Sequence, residues 1–419
     1  MGTEKAQELA KKFFLNGRID LYYVFLLHTK NILKNDGVAG FITSNKFLTI
    51  KSGLSVRNFM LDNFIVHHII DFGDTKIFDA SVLPCIIIFS PGKTVDNNKV
   101  SFTSIYQIKE NSKSLSVISI NNIFDAIDSD GYYTISDGRT FNFSQGVIKN
   151  VNKNSLWTII SRKNKDWSEM VSKKTYMTFS QLGKIHVGIK TTADNVFIKE
   201  NWENDYADLE LLKPLITHRN SGQIISANKH FWKVLYTHTM LNGKKIAYNL
   251  DDYPKTKSYL EQHYEQLSKR EYLVKANRNW YEIWVPQNPD SWRHKKIVFR
   301  DISEQPEFWF DSSGAIINGD CYWIEIHERI FDDLIFLALA IANSSFIEKF
   351  YDINFNTKLY SGKRRYQAQY VEKFPIPFYN TDEAIQAISI VKKIIADDCI
   401  EAVASYKDVL NKLVDRMFS

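Results

Sequence analysis

The feature that most constrains the fold is an alternation of helical and strand-like segments in the first part of the chain. Apolar residues have helical spacing at residues 20–34 and again at residues 57–61. Short apolar runs lie between and after these segments, at residues 38–42, 65–70 and 85–89. Helices that alternate with buried strands are typical of α/β sheets, so the sequence predicts part of such a sheet. No glycine-rich loop precedes it.

Length and composition predict a soluble protein of two or three domains. A chain of 419 residues exceeds the roughly 250 to 300 residues that one hydrophobic core supports. No apolar run approaches the ~20 residues that cross a bilayer, and the amino terminus lacks the apolar stretch of a signal peptide. Cys85, Cys321 and Cys399 are far apart, which disfavours a disulfide framework or a zinc site. These observations favour the reducing cytoplasm.

Charge gives weak support for a polyanionic partner. The formal net charge is +5 and the sequence pI is 8.7, which is mildly basic for this length. Basic clusters lie at residues 162–165, 293–296 and 363–365, each close to Trp or Tyr. Such clusters are also common on solvated loops, so charge by itself does not identify a ligand.

The order and spacing of these segments resemble the later motifs of the TaqI-like, gamma-class DNA adenine-N6 methyltransferases of restriction-modification systems. The matching elements are the apolar runs at residues 65–70 and 85–89 and the loop at residues 75–79 between them. The resemblance implies an α/β fold. It consists of a partial Rossmann-like methyltransferase sheet, then a mixed α+β target-recognition domain, then C-terminal helices.

A second group of motifs resembles the target-recognition domain of the same enzymes. Residues 182–197 are similar to its opening, Gly-Ile-x-Thr-x-x-Asp-x-x-Phe, with strands expected on both sides of Gly188. Further landmarks follow in the family's order. They are residues 212–220, a strand at 232–236, an amphipathic helix at 259–270, an edge-like strand at 296–300, a helix at 331–350, and the exit strand at 374–377.

Composition and helical periodicity, together with the resemblance, divide the chain into three regions. Residues 1–155 are expected to form the C-terminal portion of the catalytic domain, in which residues 91–155 add strands. Residues 156–378 are expected to form the target-recognition domain. Residues 379–419 have apolar residues at helical spacing and are expected to form a helical hairpin, which packs on the recognition domain or serves as a docking surface.

The resemblance implies a role for the loop at residues 75–79. In the family, an aromatic residue of this loop stacks on an adenine that has been flipped out of the duplex, and Phe78 occupies that position here. Lys76 is placed to reach an adjacent phosphate. The alternative for Phe78 is an ordinary core phenylalanine. The cofactor implied by the resemblance is S-adenosylmethionine, and no metal is implied.

Two family motifs do not occur in the sequence. Members carry a Phe-x-Gly-x-Gly-like loop for S-adenosylmethionine and an Asn-Pro-Pro-Tyr loop for the target amino group. The one Asn-Pro pair, at Asn288, is followed by Asp290. We therefore expect the chain to act as the C-terminal part of a split or truncated methyltransferase, inactive alone, with a protein partner that supplies the cofactor-binding half. The alternative is a non-catalytic DNA specificity subunit that directs separate methylase or nuclease subunits.

Double-stranded DNA is the partner implied in both cases. Polar and basic residues of the recognition region are the candidates for contacting it. They are Lys190, Thr191, Thr192, Asp194, Arg219, Asn220, Arg293, Lys296, Lys363, Arg364 and Arg365. For Thr191, Thr192 and Asp194 the alternative is that they cap a turn.

Overall fold

The computed structural model describes the following parts of the chain. They are residues 3–13, 15, 20–48, 50–73, 75, 78, 82–93, 100–108, 116–149, 157–161, 164–202, 206–355 and 363–419. The chain divides into two compact units. Unit 1 consists of residues 1–169 and 351–362, and unit 2 consists of residues 170–350 and 363–419.

The α-helices in chain order are α1 (Thr3–Lys12), α2 (Leu21–Ile32), α3 (Leu54–Asn63), α4 (Lys165–Lys174), α5 (Phe179–Leu182), α6 (Asp194–Phe197), α7 (Pro254–Gln262), α8 (Tyr264–Ser268), α9 (Glu271–Lys275), α10 (Asp332–Ala342), α11 (Ser345–Asn354), α12 (Ala368–Val371), α13 (Asp382–Asp397) and α14 (Ile400–Met417).

The strands of unit 1 are β1 (Ala39–Ser44), β2 (Phe64–Asp71), β3 (Pro84–Pro91), β4 (Ser101–Ile108), β5 (Val117–Ser119), β6 (Gly131–Thr134), β7 (Thr140–Lys149) and β8 (Thr158–Ser161). The strands of unit 2 are β9 (Thr175–Thr178), β10 (Gly183–Val187), β11 (Ile198–Lys199), β12 (Leu212–Ile216), β13 (Trp232–Leu235), β14 (His238–Leu241), β15 (Lys244–Ala247), β16 (Lys296–Arg300), β17 (Ile302–Ser303), β18 (Phe308–Asp311), β19 (Ile316–Ile317), β20 (Cys321–Ile326), β21 (Arg364–Arg365) and β22 (Pro375–Pro377).

Unit 1 is built on one mixed sheet. Its strand order is β1-β3-β2-β4-β7-β6-β5, and β8 also pairs with β7. The β2–β4 and β5–β6 pairs are parallel, and the other pairs are antiparallel. Apolar side chains of α2 and α3 form a core with β2 and β3, in which Tyr23, Met60 and Phe89 are buried. The helices and strands expected in the first 90 residues are therefore present, and the predicted α/β fold class is confirmed.

Unit 2 combines several small sheets with helices. Two four-stranded sheets have the orders β10-β20-β16-β18 and β11-β13-β12-β19. Two-stranded pairs are formed by β14 with β15, β17 with β21, and β22 with β9. The core contains large aromatic residues, among them Tyr259, Trp309 and Trp323. Helices α13 and α14 pack on each other, and both contact α10. The C-terminal hairpin is thus part of unit 2, where the sequence-based division set it apart.

Gly188 lies where β10 ends, and its role is the one expected from the sequence. A Cβ atom there would lie 2.0 Å from the carbonyl oxygen of Asn318, so no larger residue fits at this close backbone approach. The segment after it differs from the expected strand. Ile189 and Lys190 form only isolated bridges, and Asp194 begins the short helix α6.

Three expectations for unit 2 are corrected. The predicted helix at 259–270 is two helices, α7 and α8, which meet at His263. The predicted helix at 331–350 ends at Ala342, because the side chain of Asn343 pairs with the backbone N–H and C=O of Phe308 instead of pointing to solvent. The strand at 296–300 lies between β18 and β20 and is interior, not an edge.

In the described part of the chain, no single helix is long and apolar enough to cross a membrane. The pair α10 and α11, bent by 71°, reaches that length and composition only when the two helices are taken together.

Candidate nucleic-acid interface

A tight turn at residues 191–194 begins the polar surface of unit 2. The hydroxyl of Thr191 donates a hydrogen bond to the carboxylate of Asp194 and accepts one from the N–H of Ala193 at 3.1 Å. Thr191 is fully buried, whereas Thr192 is exposed and has a positive φ of 62°. The turn therefore presents Thr192 outward. Thr191 caps the turn from inside, which is the alternative role that the sequence allowed for this residue.

A buried arginine holds this turn from behind. Arg270 donates from Nε to the carbonyl of Leu267 at 3.1 Å, from Nη1 to that of Thr191 at 3.0 Å, and from Nη2 to that of Trp280. Its guanidinium also lies over the Phe197 ring at 5.5 Å. Burial lowers the pKa of Arg270. Because one rigid fork satisfies three carbonyls, the turn has a fixed position relative to the core.

A groove runs along the outside of this turn, and we call it the recognition groove. It consists of two adjoining clefts of about 570 Å³ and 300 Å³, which share Asp194, Asn195, Asn318 and Asp320. The larger cleft is also lined by Ile189, Lys190, Thr191, Thr192, Ala193, Gln266 and Gly319, and the smaller one by Ile198, Thr217, His218, Arg219 and Trp232. The fold thus brings Arg219, predicted from residues 212–220, together with Lys190, Thr191, Thr192 and Asp194, predicted from residues 182–197.

The cation at the far end of the groove is held in place by an aromatic ring. The guanidinium of Arg219 lies 4.9 Å from the centroid of the Trp232 ring, and the Arg219 N–H donates to the hydroxyl of Thr217 at 3.2 Å. Arg219 and Lys190 are both exposed. A stacked guanidinium keeps its donors free for carboxylate, phosphate or base acceptors.

The two carboxylates of the groove have partners within the protein. Asp194 accepts from Thr191, and Asp320 accepts from Nδ1 of His218 at 2.6 Å and from the His218 N–H at 3.2 Å. Their negative charge is therefore partly compensated. The groove combines two exposed cations with the hydroxyl of Thr192 and the amides of Asn195, Gln266 and Asn318, which are groups suited to phosphates and base edges. The Thr192 hydroxyl also bonds with Tyr272 and the Thr191 carbonyl, and the amides of Asn195 and Gln266 bond to each other.

Two predicted DNA contacts are fully buried. Asn220 donates to the carbonyls of Asn228 and His230 at 2.7 Å and 3.1 Å and accepts from the Thr217 N–H at 2.9 Å. Lys296 has no exposed surface. It forms an ion pair with Asp311 at 3.1 Å and donates to two backbone carbonyls of its own unit. Burial lowers the pKa of Lys296, and Asp311 opposes that shift. We therefore remove both residues from the candidate surface and assign them structural roles.

The remaining basic candidates lie outside the lining of the groove. Arg364 is buried and pairs with Glu348 at 2.9 Å, whereas Arg365 is exposed and pairs with Asp301 at 3.1 Å. Lys363 is half-buried, and Arg293 is exposed. The structure does not bring these four residues to the recognition groove.

In unit 1, Phe78 is 42% exposed, more than a core phenylalanine would be. Lys76 lies outside the described residues. The start of the loop is anchored by Asp71 at the end of β2. Its carboxylate accepts from Asn45 Nδ2 at 2.9 Å, the Gly73 N–H at 3.1 Å and the Tyr106 hydroxyl at 2.7 Å. Burial raises the pKa of Asp71, and these three bonds oppose the rise.

Several residues of the recognition groove were not found from the sequence. Trp232 was assigned only to a strand, and His218 and Asp320, separated by 102 positions, gave no shared signal. Arg270, which lies behind the groove and holds the turn, was also missed, because the sequence placed it at the end of an amphipathic helix. A lone arginine in such a pattern is more often solvated, so its burial becomes visible only in the folded chain.

Two protein families match the chain. The Eco57I restriction-modification methylase family matches residues 1–78, and the TaqI-like C-terminal specificity domain matches residues 238–376. Together with the α/β sheet of unit 1, these matches define the class: a restriction-modification methylase with a specificity domain. The resemblance inferred from the sequence is confirmed.

The Type II methyltransferase M.BanIII of Aneurinibacillus aneurinilyticus is 37% identical over 409 residues, which cover 94% of this chain and 70% of the relative. The chain belongs to this family of Type II methyltransferases. M.BstVI of Geobacillus stearothermophilus is 26% identical over 381 residues, which cover 88% of this chain and 64% of the relative. The chain thus spans about two thirds of the length of these relatives.

One solved structure shows the same fold. The Type IIL restriction-modification enzyme MmeI, determined in complex with DNA, has a TM-score of 0.59 at 13% sequence identity. The match covers 100% of this chain and 52% of MmeI.

Proposed function

We propose that this chain recognises a specific sequence in double-stranded DNA and flips out an adenine for N6 methylation in a restriction-modification system. The observation that carries the proposal is the recognition groove. It places the exposed Lys190 and Arg219 beside a hydroxyl and three amides, on a unit that is rigid at the turn behind them. Lysine is suited to the phosphate backbone, and a fork-shaped guanidinium is suited to a guanine edge in the major groove.

In this proposal the residues of unit 1 act on the flipped base. Phe78 stacks on the adenine, which offsets part of the few kcal/mol that unpairing and unstacking require. Asp71 is a positioning residue, because its bonds to Asn45, Gly73 and Tyr106 fix the start of the loop that carries Phe78. Lys76 is proposed to contact a phosphate next to the extruded nucleotide.

The cofactor of methyltransferases of this kind is S-adenosylmethionine, which supplies the methyl group. The residues of this chain do not fit a complete site for it. The sequence has neither the Phe-x-Gly-x-Gly-like loop nor Asn-Pro-Pro-Tyr. The glycine after β2, Gly73, leaves no open space for a cofactor, because it lies against the Tyr106 ring and a Cβ atom there would be 2.4 Å from a ring carbon. We propose that a polypeptide region carrying those two motifs binds the cofactor and activates the amino group.

An uncovered apolar face of unit 1 supports a partner for that role. Helix α2 buries Tyr23, Leu26 and Leu27, whereas its exposed side carries Phe25 and Ile32, 60% and 70% exposed, together with polar residues. Further along the chain, Val38 directly before β1 and Ile42 on β1 are 66% and 49% exposed. Strand β1 pairs only with β3 among the described strands, so one of its edges is open. Exposed apolar side chains beside an open strand edge mark an interaction surface, and we propose that the cofactor-binding region covers this face.

This face predicts the behaviour of the purified chain. We expect the chain to self-associate in size-exclusion chromatography with light scattering, because exposed apolar surface next to an open strand edge promotes association. The double variant Phe25→Glu and Ile32→Glu should shift the chain toward a monomer. Phe124→Glu, which changes an equally exposed phenylalanine elsewhere in unit 1, should not. A wild-type chain that runs as a monodisperse monomer would contradict the proposed cover.

The DNA-binding part of the proposal is tested by measuring affinity against salt concentration. Fluorescence anisotropy with a labelled duplex should give a steep negative slope, since ~5 to 8 phosphate contacts contribute about 0.9 each. Lys190→Ala should weaken binding to all duplexes and reduce the slope by about 1. A slope near zero for the wild-type chain would rule out backbone contacts.

Arg219 is expected to affect sequence preference instead. In selection from a randomised duplex pool, Arg219→Ala should lose discrimination at one guanine position, by ~10- to 100-fold, because a bidentate pair contributes ~1 to 3 kcal/mol. Arg219→Lys keeps the charge but loses the fork, and it should show the same relaxed preference with an unchanged salt slope. Lys412→Ala, an exposed lysine on α14, serves as the control. An unchanged preference in both Arg219 variants would exclude this residue from base reading.

A further inference from the structure

The hairpin formed by β14 and β15 projects from unit 2 as an isolated ribbon. These two strands pair with each other over four residue pairs, from His238 with Ala247 to Leu241 with Lys244, and with no other described strand. Asn242 and Gly243 form the turn with φ values of 51° and 71°, which is the geometry of a tight two-residue hairpin. All six residues from 241 to 246 are exposed.

The base of the hairpin is firmly anchored. His238 is buried, and its Nε2 lies 3.3 Å from Oε2 of Glu282, which also accepts from Nε of Arg278 at 2.7 Å. Burial disfavours the charged form of Glu282, but hydrogen bonds from His238, the Asn279 N–H and Arg278 lower its pKa to about 2. An isolated hairpin is only marginally stable in water, so this network accounts for a ribbon that keeps its shape while it projects.

The two faces of the ribbon differ in chemistry. Successive side chains of a strand alternate between faces, so His238 and Lys245 share the inner face, whereas Leu241, Lys244 and Ile246 share the outer face with Thr239. On the outer face, Leu241 is 57% exposed and Ile246 is 37% exposed. Lys245 is exposed, although partial desolvation and the nearby Arg278 lower its pKa, so the inner face carries a cation as well.

We propose that this hairpin enters the major groove of the DNA duplex that the recognition groove binds. The inference rests on the proposed function and adds a contact surface to it. A two-stranded ribbon fits the roughly 12 Å width of the major groove. The exposed methyl-bearing side chains of the outer face suit thymine methyl groups, and Lys244 and Lys245 at the tip suit the flanking phosphates. The hairpin also lies within the segment that matches the specificity domain.

The experiment uses the chain of 419 residues and a labelled duplex, with anisotropy measured from about 50 to 200 mM salt. The double variant Lys244→Ala and Lys245→Ala should make the salt slope less steep by about 1.8, or 0.9 for each lost phosphate contact. The double variant Leu241→Ala and Ile246→Ala should bind roughly tenfold more weakly with an unchanged slope. A control that removes two exposed lysines elsewhere in unit 2, Lys213→Ala with Lys412→Ala, should leave the slope unchanged.

The outcomes separate the inference from the proposed function. Wild-type slope and affinity in both hairpin variants would overturn the inference and leave the proposed function in place. A wild-type chain that binds no duplex would overturn both. If the Leu241 and Ile246 variant changes the oligomeric state in light scattering but not DNA affinity, the hairpin is a protein-docking surface and the inference is wrong. All substituted side chains are exposed, and equal thermal unfolding curves would show that each variant folds.

Discussion

Purified by itself, the chain is expected to transfer no methyl group from S-adenosylmethionine to duplex DNA. Attack by an exocyclic amine requires hydrogen-bond acceptors that orient the nitrogen and a pocket that holds the methyl donor in line with it. The sequence contains neither of the two motifs that provide these groups in the family it resembles. Incubation with tritiated cofactor and a duplex pool, followed by counting of the DNA, measures this directly. Incorporation of label by the chain alone would contradict the expectation.

Adding a polypeptide that carries the two missing motifs should restore activity, and the reconstituted mixture then tests Phe78. Phe78→Ala should lower the rate of methylation roughly 10- to 100-fold, because the flipped adenine loses its stacking partner. Phe124→Ala, at a similarly exposed phenylalanine of the same unit, should leave the rate unchanged. Equal rates for both variants would show that Phe78 does not contact the base.

Replacing Arg270 with alanine is expected to destabilise unit 2 strongly. The change removes three guanidinium hydrogen bonds, to the carbonyls of Leu267, Thr191 and Trp280, and leaves the first two carbonyls only the Arg270 N–H and the Thr192 hydroxyl as donors. A hydrogen bond to a charged group contributes ~1.5 to 3 kcal/mol, so the loss of three should lower the free energy of unfolding by at least ~3 kcal/mol. Urea denaturation followed by tryptophan fluorescence reports this unit, because only Trp157 and Trp167 of the nine tryptophans lie in unit 1.

Two further variants separate the hydrogen bonds of Arg270 from its volume. Arg270→Met fills most of the space but donates to none of the three carbonyls, so it should destabilise the unit nearly as much as alanine does. Lys269→Ala, at the adjacent exposed position, should change the free energy of unfolding by less than ~0.5 kcal/mol. If Arg270→Met has wild-type stability, packing on Phe197 rather than the three hydrogen bonds explains the role of this residue.

The first 90 residues show why much of unit 1 could be predicted. Strands β1, β2 and β3 are short apolar runs bounded by polar or turn residues, and α2 and α3 lie where the helical spacing indicated. Local periodicity carries this information because each element buries a face that its own residues define. The prediction was wrong for Lys296. It was assigned to the DNA-binding surface because a basic residue at a strand end is normally exposed, but it is fully buried. Here Asp311, 15 positions away, provides the counter-charge that permits burial.

The recognition groove shows the limit of such reasoning. Lys190 and Arg219 were candidates from the start, but their common groove depends on Asn318 and Asp320, which lie about 100 residues after Arg219 and about 130 after Lys190. The position of Arg219 over Trp232 and the burial of Arg270 depend likewise on contacts between distant segments. Residue types alone could not distinguish Arg219, which is exposed, from Asn220, which is buried beside it.

The sequence by itself determined the α/β class, the order of the motifs, the family resemblance and the absence of two cofactor-related motifs, because each of these is a property of local pattern. Only the tertiary structure decided which polar residues share one groove, which are consumed by internal hydrogen bonds, and that a hairpin with a cationic tip stands free of every other described strand. Those properties are set by burial and by pairing between residues far apart in the chain, and burial is not defined until the chain has folded.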